Sequence, residues 1–91
     1  MSTDAEKRLA DRVLQVLERG KYLHSAAAAR EIDPLRDEVG TGDRVENERA
    51  EAWVAICALY KILSATPGHR DVSERWQKAT EKTAAWLAMI K

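Results

Sequence analysis

Apolar side chains recur at helical spacing near the start of the chain. They fall mostly three or four positions apart and define one face: Ala5, Leu9, Val13, Val16 and Leu17. Thr3 and Glu6 have the spacing of a capping box, in which each side chain satisfies an unpaired amide of the first turn. Gly20 is a typical helix stop. The pattern therefore predicts a first amphipathic helix from Thr3 to about Gly20.

The next segment contains four consecutive alanines, residues 26–29, and alanine has the highest helix propensity. A short helix is predicted for residues 22–31. Asp33-Pro34 should end it, because proline disfavours helical geometry in the residue before it. The same pair can begin a further turn or two over residues 34–39, with Asp33 as the cap. A glycine-rich loop, residues 40–42, should follow.

The longest apolar segment lies in the second half of the chain. It follows a second capping pair, Asp43 and Glu46, and ends at Thr66-Pro67-Gly68. Its apolar positions cover well over half of a helical circumference: Ala52, Trp53, Ile56, Cys57, Leu59, Tyr60 and Leu63. A buried β-strand is the competing interpretation of residues 53–60, but the length of the pattern and its alanines favour a helix. This third helix should be the centre of the core, surrounded by the other helices or by a second copy of the chain.

The last segment is a regular amphipathic helix that opens at Asp71. Its apolar positions step by three and four: Val72, Trp76, Ala79, Thr83, Trp86, Leu87 and Ile90. The sequence thus predicts one all-α domain over residues 1–91, a compact bundle of three principal helices plus one or two short helices. The last two long helices should form an antiparallel hairpin, in which Trp53 and Trp76 meet.

Composition narrows the possible functions. Fifteen basic and fifteen acidic side chains give a formal net charge of zero, so no broad field attracts nucleic acid or anionic lipid. The longest apolar stretch, residues 52–60, is well short of the roughly 20 residues that cross a bilayer. The N-terminus has no apolar signal core. We therefore expect a cytoplasmic protein without a membrane partner.

Catalytic and metal-binding patterns are not evident in the sequence. Cys57 is the only cysteine, and its apolar surroundings indicate a buried, inert thiol. His24 and His69 stand far apart, without carboxylates or cysteines at metal-ligand spacing. No cofactor and no enzymatic activity are predicted.

A DNA-binding role is the alternative interpretation. Residues 25–41 resemble a helix-turn-helix in outline, with two short helices joined by a tight turn. Such a regulator would need Arg30, Arg36 and Arg44 on one face. The acidic pair Asp37 and Glu38 would oppose phosphates, however, so nucleic-acid binding is disfavoured.

The aromatic residues favour a protein partner. The chain has three tryptophans, two tyrosines and no phenylalanine, and tryptophan is enriched in interface hot spots. Trp86 either caps the bundle or forms an exposed patch. The predicted contact surface consists of apolar anchors and a charged rim: Trp86, Met89, Ile90, Arg75, Lys78 and Lys82. A second candidate surface is the segment 33–44, with Arg36 and Arg44.

These observations predict a non-catalytic protein–protein interaction module. Its partner would be another protein, or a second copy of the chain in a homodimer. Small size and the lack of catalytic patterns suit a stoichiometric inhibitor, such as a phage or plasmid counter-defence protein or an immunity protein. They suit an adaptor or assembly component equally well. The sequence carries no motif of a known family that would decide between these roles.

Overall fold

The structure is a computed structural model that describes residues 3–23, 25–41, 47–65 and 72–90. These residues form four α-helices and no strand: α1 (Thr3–Gly20), α2 (Ser25–Gly40), α3 (Asn47–Ala65) and α4 (Val72–Met89). The predicted all-α class is confirmed. The prediction of three principal helices plus short ones is wrong in detail, since the four helices have similar lengths of 16 to 19 residues.

The helices contact one another in the pattern of a bundle. α3 packs against α2 and α4, and α1 packs against the same two helices. Within the described residues, α1 therefore lies diagonally across from α3 instead of beside it. The expectation that three helices surround the third is corrected accordingly, because in the described residues α3 packs side by side with α2 and α4 and reaches α1 through the ion pair of Arg49 with Glu6.

α2 continues through Pro34, where the sequence predicted a break. Proline removes the amide that would bond the carbonyl of Arg30, which is costly inside a helix. Arg30 and Pro34 are both exposed, so the missing hydrogen bond lies on the solvent side of the helix. Three residues around it, Ile32, Leu35 and Val39, are buried on one face. Their packing outweighs the local preference of Pro34 and keeps the helix intact.

The continuity of α2 also contradicts the helix-turn-helix outline predicted for this segment. A helix-turn-helix needs two helices joined by a turn, whereas residues 25–40 form one helix. The predicted resemblance in this segment is therefore wrong.

In the described part of the chain, α3 begins at Asn47. Asn47 has a φ of 54°, in the left-handed region that asparagine tolerates better than most residues. A residue in this region lies at the end of a right-handed helix and not in its interior, which agrees with the position of Asn47 as the first residue of α3. The predicted capping residues Asp43, Glu46 and Asp71, the side chain of Thr3 and the predicted turn 66–68 lie outside the described part of the chain.

The core draws on all four helices. Its largest fully buried side chains are Leu17, Ile32, Ile56, Leu59, Val13, Val39 and Thr83. Thr83 is the exception in chemistry, since its hydroxyl is buried without a hydrogen-bond partner among the described residues. The predicted apolar faces of α1 and α4 thus largely coincide with the core.

The predicted contact between Trp53 and Trp76 inside a hairpin is wrong. The indole of Trp76 is buried and donates a hydrogen bond to the carbonyl of Leu17 at 2.8 Å, beside Gly20. Trp53 remains 37% exposed and lies against Gly40 at the end of α2. Each indole therefore covers the last residue of a different helix.

Arg49 connects the start of α3 with the end of α2. Its guanidinium donates hydrogen bonds of 3.1 Å to the carbonyls of Glu38, Val39 and Thr41. Carbonyls in the last turn of a helix have no partner within the helix, so Arg49 satisfies groups that would otherwise need water. It also lies 5.5 Å from the centre of the Trp86 ring.

Candidate functional site

α3 is apolar on more sides than its two neighbours cover. It buries Ala52, Ala55, Ile56, Leu59 and Leu63. Ala50, Val54 and Ala58 recur every four positions along a different side, and Val54 is 60% exposed. A helix that turns apolar side chains toward solvent leaves an unsatisfied contact surface.

This surface is one side of a groove between α3 and α4 with a volume of about 430 Å³. We name it the α3–α4 groove, and its lining residues are Ala50, Glu51, Val54, Ala55, Ala58, Arg75, Lys78 and Lys82. α3 contributes mainly small apolar side chains, whereas α4 contributes only cations. The groove therefore combines an apolar strip with a positively charged edge.

Two of the three cations have no acidic partner among the described residues. Arg75 and Lys78 are exposed and make no ion pair there, whereas Lys82 donates to Glu51 at 2.8 Å. That hydrogen bond, aided by the attraction of opposite charges, lowers the pKa of Glu51 and raises the pKa of Lys82. The pair bridges the two sides of the groove and leaves the charges of Arg75 and Lys78 available.

The structure brings together three of the residues predicted for the contact surface. Arg75, Lys78 and Lys82 line the α3–α4 groove, and Met89 is 60% exposed on the same helix. Ile90 is half-buried and packs against the core. The three cations therefore share one groove, whereas Ile90 lies against the core.

Trp86 does not lie on the surface. It is 2% exposed, and its indole nitrogen donates a hydrogen bond to the carboxylate of Glu6 at 2.8 Å. Of the two roles predicted for it, the structure has the capping role, because the ring is enclosed by the bundle. Trp86 cannot contact a partner without displacement from the core.

The second predicted surface is only partly described. Arg36 donates to Asp33 at 2.6 Å and lies 4.3 Å from the centre of the Tyr60 ring. Its charge is therefore already engaged within the chain by an ion pair and a cation–π contact. Arg44 lies outside the described residues.

Cys57 occupies a partly buried position on α3. Burial raises the pKa of its thiol, and this effect outweighs the opposing influence of Arg36. A reactive cysteine requires a lowered pKa, so the geometry does not activate this thiol. The sequence placed Cys57 in the core, whereas the structure leaves it partly accessible.

The exposed apolar strip of Ala50, Val54 and Ala58 was not predicted as part of a binding site. A signal for it exists, because these residues recur every four positions on one side of a helix that is already apolar elsewhere. Apolar spacing alone cannot show whether these residues face the core or solvent, since it does not give the number of helices that pack against α3. This number is a property of the tertiary structure, which the sequence pattern does not give.

The described residues contain no group of three or more side chains that could hold a metal ion. None of the described helices is long and apolar enough to cross a membrane. His24 and His69 lie outside the described part of the chain. The α3–α4 groove presents apolar side chains on one side and cationic hydrogen-bond donors on the other.

No family model, curated protein or solved structure matches this chain.

Proposed function

We propose that this chain is a non-catalytic protein-interaction module that binds another protein through the α3–α4 groove. The observation that carries the proposal is the coincidence of an uncovered apolar strip with two cations that make no ion pair within the described residues. Interfaces commonly combine an apolar centre with a polar rim. The residues Ala50, Val54 and Ala58 would form the centre, and Arg75 and Lys78 the rim.

The contacts across the groove support an antiparallel arrangement of α3 and α4. Lys82, late in α4, pairs with Glu51, early in α3. Arg75, early in α4, shares the groove with Ala58. The cationic row then runs alongside the apolar strip over its whole length, so one partner segment can contact both.

Met89 extends this surface. A helix rotates about 100° per residue, which places Met89 on the same side of α4 as Lys82, two turns further along. Methionine adapts to irregular partner surfaces because it is flexible and polarizable. In this proposal Val54 and Met89 are the apolar anchors of the interface, in place of Trp86.

A hetero-partner agrees with the charges of the groove better than a homodimer does. In a symmetric dimer the same surface meets itself, so Arg75 and Lys78 of both copies would share one interface, in which the acidic lining residue Glu51 is already paired to Lys82. Like charges brought together at an interface oppose association. We therefore assign the groove to a different protein with acidic side chains, in keeping with an inhibitor, immunity or adaptor role.

Site-specific photo-crosslinking in the cells that naturally make the protein tests this function. A benzophenone amino acid at Val54 should give a discrete adduct with another protein, since this side chain is exposed at the centre of the groove. The same group at Tyr22, which is also exposed but lies outside the groove, is the matched control. An adduct from Val54 that disappears in Arg75→Glu/Lys78→Glu would support the proposal.

Equal labelling from Val54 and Tyr22, or none from either, would contradict it. An adduct between two copies of the chain would show that the groove forms a homodimer and does not bind a different protein. Native mass measurement at micromolar concentration separates these outcomes, because a homodimer would already be present in the isolated protein.

A further inference from the structure

We infer that the occupant of the α3–α4 groove is an amphipathic α-helix with a row of acidic side chains beside its apolar face. The inference rests on the proposed function and deepens it by naming the kind of partner segment. Three observations carry it: the secondary structure of the groove walls, the size of the side chains on α3, and the spacing of the cations on α4.

The walls of the groove favour a helix over an extended peptide. Both walls are α-helices, whose backbone amides and carbonyls are bonded within the helix. A β-strand partner gains its affinity by pairing with a free sheet edge, and neither wall has one. Recognition must therefore use side chains, as it does when an amphipathic helix lies in a groove between two helices.

The apolar strip has the dimensions of a helix contact. From Ala50 to Ala58 the helix rises about 12 Å, or just over two turns. Small side chains at every fourth position form a shallow ridge that allows another helix to approach closely. Ala50 and Ala58 provide that close approach, and Val54 between them provides the bulk of the apolar contact.

The cations stand at positions that one face of a partner helix can match. Arg75, Lys78 and Lys82 are separated by three and four residues, so they form one row along α4. Lys82 is engaged with Glu51, which leaves Arg75 and Lys78 to pair with the partner. Acidic side chains on an opposing helix, three or four positions apart, would meet these two charges.

Three helical peptides of identical apolar sequence provide the test. Each carries leucines on one face and, along one flank, a row of glutamate, glutamine or lysine at a spacing of three and four. Binding is measured by titration into ¹⁵N-labelled protein and by fluorescence anisotropy. We expect the glutamate peptide to shift the amide signals of residues 50–58 and 75–82, with the glutamine peptide about tenfold weaker and the lysine peptide weaker still.

Charge reversal of the groove supplies the decisive comparison. Arg75→Glu/Lys78→Glu should bind the lysine peptide better than the glutamate peptide. Arg8→Glu/Arg30→Glu is the matched control, because it makes the same change of net charge at exposed residues outside the groove that form no ion pair in the described structure. The urea midpoint of each variant shows that it is folded. The control should keep the original order of affinities.

The inference is overturned if the glutamate peptide binds no better than the lysine peptide, or if the signal shifts fall outside the groove. A 20-base-pair duplex that shifts the same signals where the glutamate peptide does not would overturn it in favour of nucleic acid. A specific Val54 adduct from cells together with failure of all three peptides would reject the acidic helix while leaving the protein-interaction function in place. Failure of both experiments would reject the function as well.

Discussion

The indole of Trp86 donates a hydrogen bond to the carboxylate of Glu6 at 2.8 Å, across 80 positions of the chain. The carboxylate also lies 3.8 Å from the guanidinium of Arg49, which approaches the Trp86 ring. Three helices thus meet at a single partly buried charge cluster. A residue predicted to contact a partner is instead part of the internal structure of the bundle.

The first prediction concerns this hydrogen bond. Trp86→Phe removes the donor, and Glu6→Ala removes the acceptor. A double-mutant cycle by urea unfolding should give a coupling free energy of about 1–2 kcal/mol, because hydrogen bonds to charged groups contribute more than neutral ones. The cycle separates this coupling from the smaller ring volume of phenylalanine. Strictly additive effects of the two substitutions would show that the bond contributes nothing.

The second prediction concerns Arg49. Arg49→Lys keeps the charge but replaces a planar fork of donors by a single ammonium group, which cannot serve the carbonyls of Glu38, Val39 and Thr41 together. We expect a loss of about 2 kcal/mol in the free energy of unfolding. Hydrogen exchange should also increase at the end of α2. Arg30→Lys, at an exposed position, is the control and should change stability by less than about 0.5 kcal/mol.

The third prediction concerns the buried hydroxyl of Thr83, which is 0% exposed and unpaired within the described structure. Thr83→Val replaces it by a methyl group of similar size and should raise the free energy of unfolding by about 1 kcal/mol. For a domain of this length the midpoint temperature would rise by roughly 4–8 °C. A fall in that temperature would mean that the hydroxyl has a partner in solution.

Thr80→Val is the matched control for Thr83→Val. Thr80 lies on the same helix, and its hydroxyl donates to the carbonyl of Trp76 at 3.0 Å. Since this hydroxyl is already satisfied and only half-buried, the substitution should give no comparable gain.

The fourth prediction concerns the pH dependence of Cys57. Burial raises the pKa of its thiol above the ordinary value of 9.0, so the unfolded chain loses this proton before the folded chain does. The corresponding contribution to stability is complete below pH 9.0 and declines as the pH rises from there through the folded pKa. Cys57→Ala should lose less stability than the natural chain between neutral and alkaline pH.

Alkylation gives an independent measurement of the same effect. At about pH 8, iodoacetamide should modify Cys57 in the folded protein far more slowly than in urea, because the thiolate is the reactive species. Equal rates would show that the folded protein neither shields the thiol of Cys57 nor raises its pKa.

The sequence predicted the helical class and most core positions, because apolar spacing is a local signal that burial reinforces. It failed at Pro34, where packing of Ile32 and Leu35 outweighs the local cost of proline. It also misplaced Trp53, since periodicity cannot distinguish a core face from a face that covers the end of α2.

The candidate site was predictable on one side only. Arg75, Lys78 and Lys82 form a row that helical spacing alone places together, and in the structure they line one groove. Val54 was missed because its exposure depends on how many helices surround α3, which no local pattern encodes. Trp86 was predicted as a contact residue but is buried, because its position depends on Glu6 and Arg49, which are distant in the sequence.

The order of helix contacts has a consequence for the rate of folding. Three of the four helix pairs join neighbours in the chain, whereas α1 and α4 meet across nearly its whole length. Closing a long loop costs more chain entropy than forming a short turn, and folding slows as contacts become less local. The hydrogen bonds of Trp76 to Leu17 and of Trp86 to Glu6 both connect α4 with α1. The fluorescence of these two indoles in a stopped-flow experiment should therefore follow the slowest step, in which the first and last helices close the ring.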